Sequence, residues 1–327
     1  MSNRFNHTLH KLRLRHFELL DFLSSEGTVR GAARKMALTQ PAVSKMLREI
    51  EDCYGSALFE RSASGVRPNQ LGLHLTRHVI VLLNEMRAVS DEISAIADGA
   101  SSVLRVGTVS VIPRVPRAIA QLRVQMPQVR VMVREGTVLD LTKQLLEGEL
   151  DCIVGALPQE ILAKSSASLL KIEALSNDKL CVVASSAHVL AKKTGKNKIL
   201  SWAKLNEFEW VLPPPSSLLR RAMVDVYLHS GLAPPEPSVE LLSPLSMGDL
   251  LALDKTLIGV MRYEQAYAEQ TSKRLCILDV RPDVRLPSIA FMTRRQSTEI
   301  EEDLKAFRAA LGKLDVKLTA TGGTTRI

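Results

Sequence analysis

The sequence contains no apolar run that could cross a membrane. None of its segments approaches the roughly 18 consecutive apolar residues that a membrane-spanning helix needs, and no apolar stretch follows the basic residues at its start. A secretory signal is therefore not expected. We predict a cytoplasmic protein without a membrane partner.

Cysteine is also scarce, and its distribution argues against two classes of stabilising site. The thiols are Cys53, Cys152, Cys181 and Cys276, and no two of them form a CxxC pair. His74 and His78 are four residues apart, but no third ligand joins them at metal spacing. A disulfide framework and a zinc site are therefore not expected, and a reducing compartment is favoured. We expect no metal, no cofactor and packing roles for the thiols.

The short motifs of common enzymes are missing too. There is no GxSxG elbow, no GxxxxGK[ST] phosphate loop and no GxGxxG after the first strand of the predicted sheet. Asp151 and Cys152 lie in an apolar strand pattern, where a thiol is usually a packing residue. The sequence therefore predicts that the protein is not an enzyme.

Composition and charge indicate a globular protein with a polyanionic partner. The chain has 327 residues, of which 46% are hydrophobic and 24% charged, so two or three folded domains are expected. Its formal net charge is +8, and residues 1–80 hold 12 Lys and Arg against 7 Asp and Glu. The basic excess at this end favours nucleic acid as the partner.

Residues 28–68 carry the most specific pattern. Two short helical patterns, 29–36 and 40–50, are separated by three residues, and a first helix over about 12–24 precedes them. Thr28 and Thr39 are placed to cap the two helices, and a hairpin pattern follows over 58–68. Two helices joined by so short a turn are typical of a helix-turn-helix, whose second helix can enter the DNA major groove.

The second of these helices separates into two faces. Val43, Leu47 and Ile50 form an apolar stripe, which an ordinary three-helix bundle would also show. The opposite face carries glutamine, serine and basic residues, which bond adenine, guanine and phosphate. The candidate DNA contacts are Arg30, Arg34, Gln40, Pro41, Ser44, Lys45, Arg48 and, in the wing, Arg67.

Three segments form one longer pattern: Arg-Gly-Ala-Ala-Arg-Lys-Met-Ala-Leu-Thr-Gln-Pro-Ala-Val-Ser-Lys over 30–45, Leu-Arg-Glu-Ile-Glu over 47–51 and Leu-Phe-Glu-Arg over 58–61. Together they resemble the winged helix-turn-helix of LysR-type transcriptional regulators. The chain departs from that family at Pro68-Asn69-Gln70, where Leu-Thr is more usual. The resemblance implies a sequence-specific transcription regulator with a winged helix-turn-helix domain over 12–69. It also implies assembly as a dimer of dimers on promoter DNA.

A long helix is predicted over 70–98. Apolar residues at 75, 79, 82, 86, 89, 93 and 96 alternate in steps of four and three, as in a coiled-coil seam. Pairing with a second copy would place two reading heads on adjacent half-sites. The alternative is that this face packs on the chain's own domains.

From residue 103 strands alternate with helices, and the βαβαβ order predicts an α/β fold with a mostly parallel sheet. Residues 103–316 resemble the family's effector domain, which has the type 2 periplasmic-binding-protein fold. The resemblance implies two lobes, the first about 103–168 and 287–316, the second about 169–286. The chain is expected to cross between them near 168–174 and 276–287.

In such sheets ligands bind at the carboxyl ends of strands and near helix amino termini. The candidate effector contacts are Thr108, Ser110, Val111, Gly136, Thr137, Ser216, Ser217 and Gly259. Each hydroxyl has a competing role as a helix cap or turn bond. By resemblance, Thr137 matches a ligand position of members that bind aromatic acids. Arg114 and Arg220 are either carboxylate partners or solvated side chains.

These observations favour a cytoplasmic regulator controlled by a small-molecule effector. Organic acids, including aromatic ones, are the favoured class, and sugars are the alternative. A transported-solute receptor would share the second domain but not residues 12–69, and a DNA-packaging protein would leave the second domain without a purpose.

Overall fold

The computed structural model describes residues 12–62, 65–109, 112–156, 168–193, 199–295 and 302–312. Its contacts divide the chain into two compact units. The first comprises Met1–Val103 with Lys143–Leu150, and the second comprises Leu104–Thr142 with Asp151–Ile327. No helix within the described ranges has the length and apolarity needed to cross a bilayer.

The first unit begins with three helices, a hairpin and a long helix. They are α1 (Leu14–Glu26), α2 (Val29–Lys35), α3 (Gln40–Tyr54), β1 (Phe59–Ser62), β2 (Gly65–Pro68) and α4 (Gln70–Ala97). The strands β1 and β2 pair antiparallel, which confirms the predicted hairpin. The tip residues 63 and 64 lie outside the described residues.

Side-chain caps fix where these helices begin. The Thr28 Oγ1 atom accepts the N–H of Gly31 at 3.0 Å, and Thr39 caps α3 in the same way. Asn69 caps α4 by accepting the N–H of Gly72 at 2.9 Å. Each bond satisfies a backbone donor that has no partner inside the helix. The predicted caps of α2 and α3 are confirmed.

The long helix α4 has two faces with different roles. Val79 and Leu83 are buried with the apolar residues of α1, α2 and α3 in one core. The prediction that Val79 belongs to an intermolecular seam is therefore wrong, because this residue completes the core of the chain's own head. An apolar row on the rest of the helix is solvent-exposed: Leu82, Met86, Val89, Ile93 and Ile96.

Residues 143–150 also belong to the first unit. The side-chain amide of Asn84 on α4 donates to the carbonyl of Glu147 at 2.8 Å. Burial raises the pKa of the Glu147 carboxyl and, on α1, that of Asp21. A buried amide thus finds its partner in a segment far along the chain.

Beyond residue 101 the elements lie mainly in the second unit, which alternates strands and helices. Its first part contains β3 (Ser102–Thr108), α5 (Arg114–Gln125), β4 (Val129–Glu135), α6 (Val138–Leu146) and β5 (Cys152–Ala156). Next come β6 (Leu170–Ser185), α7 (Val189–Lys193), β7 (Leu200–Ser201), α8 (Trp202–Leu205), β8 (Glu209–Leu212), α9 (Leu218–His229) and β9 (Val239–Glu240). The last elements are α10 (Pro244–Leu253), β10 (Leu257–Arg262), α11 (Tyr263–Thr271), β11 (Leu275–Leu278), β12 (Val280–Arg281), β13 (Val284–Arg294) and α12 (Glu302–Gly312).

Within the described ranges nine strands form one sheet in the order β4-β3-β5-β13-β6-β10-β8-β9, with β11 also on β6. The pairs β3–β5, β8–β10 and β8–β9 are parallel. The central strands β6 and β13 are antiparallel to each other, and each is antiparallel to its other neighbour. The sheet is mixed, which corrects the expectation of a mostly parallel one.

The sheet carries separate cores on its two halves. Leu104, Leu122 and Phe307 are fully buried in the first lobe, with β3, α5 and α12. Trp210 and Tyr227 are fully buried in the second lobe, around β8 and α9. The strands β6 and β13 run through both halves, so the two lobes share these strands.

Candidate DNA interface and effector cleft

The two faces of α3 differ in exposure. Val43, Leu47 and Ile50 are buried in the head. Gln40, Pro41, Lys45 and Arg48 are exposed, and Ser44 is half-buried. The groups that can bond to base edges and phosphates therefore lie on the solvent side of one helix.

Further cations lie on neighbouring elements of the head. Arg30 and Arg34 are exposed on α2, and Arg34 Nη2 lies 3.7 Å from Glu26 Oε2, a long contact. Arg67 is exposed on β2, opposite Glu60 of β1. An exposed ion pair contributes little, so these cations can exchange their partners for phosphates.

A histidine on α1 holds the acidic end of α3, which the sequence analysis missed. The backbone N–H of Arg13 donates to His16 Nδ1 at 2.9 Å, so the ring proton lies on Nε2. This Nε2 lies 3.3 Å from Glu49 Oε2 and donates to it. Lys45 Nζ lies 3.8 Å from the other Glu49 oxygen. Glu49 is thereby held at the side of the helix where α1 packs.

The wing is held close to the helices by two glycines. A Cβ atom at Gly65 would lie 2.3 Å from the carbonyl oxygen of Gly27, and Gly65 has φ +127°. A Cβ atom at Gly72 would lie 2.0 Å from the carbonyl oxygen of Leu58. The Glu51 carboxylate accepts the N–H of Leu58 at 2.8 Å. These contacts position β2 and Arg67 relative to α3.

At the carboxyl end of β3 only some predicted effector residues are described. Thr108 is buried, and its carbonyl accepts the N–H of Gly136 at 3.3 Å, which brings these two residues together. Ser110 and Val111 lie outside the described residues. A Cβ atom at Gly136 would make only ordinary contact with Leu141, so this glycine is not required by packing.

The predicted hydroxyls at helix starts make capping bonds. Thr137 Oγ1 donates to Asp140 Oδ2 at 2.7 Å and accepts the N–H of Asp140 at 3.2 Å. Ser217 Oγ accepts the N–H of Arg220 at 3.1 Å, and Ser216 is exposed. Both capping residues stabilise a helix amino terminus, which is the competing role that the sequence analysis considered.

Gly259 lies within β10 and packs tightly there. A Cβ atom at this position would lie 3.0 Å from Leu251 Cδ1 and 3.1 Å from the Val211 carbonyl oxygen. The close approach of α10 and β8 is therefore sufficient to account for a glycine here.

The two predicted arginines differ from each other. Arg114 is buried, and its guanidinium contacts Glu264 and Ser176, an arrangement that the sequence analysis did not include. Arg220 is half-buried, and its Nη2 donates to the carbonyl of Pro235 at 3.3 Å. Its Nη1 is buried without a hydrogen-bond partner among the described residues.

Comparisons with known proteins decide the family. Residues 14–73 match the family model of the bacterial regulatory helix-turn-helix protein, lysR family. Residues 97–314, about two thirds of the chain, match that of the LysR substrate binding domain. The chain belongs to the LysR family.

Relatives of this LysR-type regulator are regulators as well. It is 30% identical over 237 residues to the HTH-type transcriptional regulator GbpR of Azospirillum brasilense, a match that covers 72% of this chain and 67% of that protein. It is 29% identical over 262 residues to the HTH-type transcriptional regulator GalR of Pseudomonas putida, covering 79% and 64%. The LysR-type chain is thus a DNA-binding transcription regulator with an effector-binding domain, not an enzyme.

Solved structures show the same fold. A full-length single-residue variant of OxyR from Pseudomonas aeruginosa matches with a TM-score of 0.55 and 20% identity, over 93% of this chain and 94% of that one. Full-length CbnR in complex with its target DNA matches with a TM-score of 0.53 and 16% identity, over 92% and 99%. The expected fold class, a helix-turn-helix joined to an α/β effector domain, is confirmed.

The thiols of this LysR-type regulator are poor nucleophiles where they are buried. Burial raises the pKa of the Cys152 thiol well above its usual range and that of Cys181 to about 12. Burial also raises the pKa of Cys276. A protonated thiol reacts slowly, so packing is the role that the structure supports for these three residues.

Proposed function

We propose that this regulator reads an interrupted palindrome through the exposed face of α3, with Arg67 of the wing on the flanking backbone. The observation that carries the proposal is the exposure of Gln40, Lys45 and Arg48 on the helix whose opposite face builds the head core. Glutamine and arginine can each make two bonds to one base, which is how a major-groove helix distinguishes sequences.

We propose further that two copies pair through α4. The exposed row Leu82, Met86, Val89, Ile93 and Ile96 is 46 to 64% accessible in the single chain. Its steps of four and three residues follow a coiled-coil seam, and pairing would remove this apolar surface from water. Two such dimers would form the tetramer that is typical of the family. We expect the assembly to act in the cytoplasm, where promoter DNA is.

The effector is proposed to be a small molecule held between the two lobes, near the ends of β3 and β4 and the start of α9. An organic acid is favoured, because Arg220 in the first turn of α9 keeps one buried guanidinium nitrogen without a partner among the described residues. A carboxylate would supply the missing acceptor. Sugars remain the alternative, since threonine and serine hydroxyls lie at the same strand and helix ends.

The DNA-reading part is tested by selecting bound duplexes from a randomised pool and measuring affinity by fluorescence anisotropy. Arg48→Ala is expected to weaken binding about 5- to 150-fold and to relax preference at one base position, since a base contact contributes about 1–3 kcal/mol. Arg67→Ala should weaken all sequences equally and lower the salt dependence by about one ion.

Arg123→Ala, an exposed cation on α5, is the matched control and should leave both quantities unchanged. Unchanged affinity and base preference in Arg48→Ala would contradict the placement of α3 in the major groove.

A further inference from the structure

The two strands that join the lobes are irregular at one place. In β13 and β6, Leu286 pairs with Asp178, but the next pairs are Ile289 with Ser176 and Ala290 with Ala174. The register therefore shifts on both sides of the Ile289–Ser176 pair, over 175–177 of β6 and 287–288 of β13, which we call the hinge segments. Bulges of this kind locally disrupt pairing and bend a strand.

The start of α11 is fixed to the hinge segments from the second lobe. Asp178 Oδ2 accepts a bond from Arg262 Nε at 2.6 Å, and Asp178 Oδ1 accepts the N–H of Tyr263 at 3.3 Å. Arg262 Nη2 donates to the carbonyl of Pro287 at 3.3 Å. Glu264, in the first turn of α11, therefore has a defined position beside the hinge segments.

A second ion pair joins this helix to the first lobe. Arg114, the first residue of α5, donates from Nε to Glu264 Oε2 at 2.9 Å and from Nη2 to Ser176 Oγ at 2.9 Å. The side chains of Arg114 and Glu264 are only 3% and 12% exposed. α5 packs in the core of the first lobe, and α11 packs in that of the second through Ala266.

We propose that the Arg114–Glu264 ion pair is a latch that holds the two lobes in the arrangement of this structure. Because both charges are removed from water, separating them without a replacement partner is costly, and the latch is either closed or open. Arg114 also contacts Ser176 inside a hinge segment, so opening the latch removes one of the contacts that hold the hinge segments. The latch rests on the two-lobed part of the proposed function, not on the identity of the effector or operator.

The test is hydrogen exchange of the full-length protein, followed by mass spectrometry without DNA or added ligand. In the double variant Arg114→Met/Glu264→Met both charges are replaced by apolar side chains of similar size, a change that buried ion pairs often tolerate. Peptides that contain the hinge segments are expected to exchange about tenfold faster, as for a tenfold shift in a local opening equilibrium. Exchange in β3, β5, β8 and β10 should stay unchanged.

Two further variants sharpen the outcome. Glu264→Gln keeps an oxygen for Arg114 but removes the charge, and an intermediate rate is expected. Asp249→Asn removes an ion pair with Arg274 inside the second lobe and should leave the hinge segments at the wild-type rate. Unchanged hinge exchange in the folded double variant would overturn the latch, and so would acceleration spread evenly over both cores.

A separate arm keeps the latch distinct from the proposed function. Operator affinity of the wild-type protein tests the DNA-reading head, whereas the exchange experiment involves no DNA. If the wild-type protein shows no sequence-specific operator binding but the double variant shows fast hinge exchange, the DNA-reading part of the proposed function is rejected and the latch is kept. If the wild-type protein binds its operator but hinge exchange in the double variant is unchanged, the latch is rejected and the DNA-reading part is kept.

Discussion

At Gly72 the absence of a side chain allows the turn before the wing to lie against α4. A Cβ atom there would come within 2.0 Å of the Leu58 carbonyl oxygen, a backbone atom that cannot turn away. Gly72 also donates its N–H to the side chain of Asn69, the bond that caps the start of α4. Close approach and capping thus meet at one position.

Gly72→Ala is therefore expected to destabilise the head by about 3 kcal/mol, since overpacking against a fixed backbone forces structural shifts. The measurement is urea unfolding followed by circular dichroism. Gly55→Ala is the control, because Gly55 has φ +66° but no atom within 4 Å of a Cβ atom. It should lose only about 1–2 kcal/mol through the left-handed conformation. Equal losses would show that the Leu58 contact does not matter.

His188 makes the second lobe sensitive to acid. It is buried, its Nδ1 accepts the N–H of Leu190, and its Nε2 therefore donates to the Thr256 carbonyl. Burial lowers the pKa of this imidazole below the ordinary 6.5. The unfolded chain then binds the proton more readily, so stability is present above about pH 6.5 and is lost as pH falls towards the folded pKa.

His188→Gln is expected to reduce the loss of unfolding free energy between pH 7.5 and 5.5, where one such group contributes at most about 1.4 kcal/mol per pH unit. Glutamine retains one acceptor and one donor for the two bonds. His229→Gln, on the exposed end of α9, is the control and should preserve the wild-type slope. Identical slopes for all three proteins would assign the acid sensitivity to other groups.

Helix α4 packs on the head with one face, and the exposed apolar row on the rest of the helix is the proposed pairing surface. Val89→Glu would place a charge in the middle of the exposed apolar row, where pairing would bury it. The dimer dissociation constant is expected to rise on the order of a hundredfold, because burying an unpaired charge is unfavourable. Sedimentation velocity at micromolar concentrations measures this change.

Ser90→Glu, the next residue along the helix and also exposed, is the control for Val89→Glu. It changes charge equally but lies outside the row, so it should leave the dimer intact. If both variants dimerise like the wild type, α4 is not the seam.

Local elements could be predicted from the sequence where capping and periodicity agree. The apolar positions over 114–125 repeat at helical spacing, which predicts a helix where α5 is found. No strand pattern covers the first half of β6, since Glu173 and Asn177 interrupt the apolar residues there. Its pairing with β13 joins residues more than a hundred positions apart, which no local pattern reports.

Contacts between distant residues were missed for the same reason. The pairs His16–Glu49 and Arg114–Glu264 are separated by 33 and 150 positions. For Arg114, the residue type alone indicates either a carboxylate partner or a solvated charge. Only the fold brings each charge to its partner.

For the whole molecule, the effector site can be tested through stability. A ligand selective for the native state raises stability by about 2.7 kcal/mol at a hundredfold excess over its dissociation constant. A thermal-shift screen of the full-length protein with organic acids and sugars should identify the class. Thr137→Val is expected to reduce the ligand-induced shift at a fixed concentration while leaving operator affinity unchanged.

Thr137→Val also removes a helix cap, which contributes about 1 kcal/mol. The quantity to compare is therefore the difference in melting temperature between the ligand-bound and the free form of each protein. Thr256→Val is matched to it, because Thr256 also bonds an aspartate through its hydroxyl, in this case Asp254. If the ligand-induced shift is reduced equally in both variants, the reduction reflects a general loss of stability and not a contact between Thr137 and the ligand.

The burial of Val79 and Leu83 under the reading head has a practical consequence for exchanging modules among regulators of this family. A chimera joined at residue 69 would combine a transplanted head with the long helix of another protein. The residues of that helix at the positions of Val79 and Leu83 would then differ in volume, and the recognition surface would pack less tightly. A junction beyond residue 84 would keep Val79 and Leu83 together with the head whose core they complete. Domain grafts should therefore be cut inside the long helix and not at its beginning.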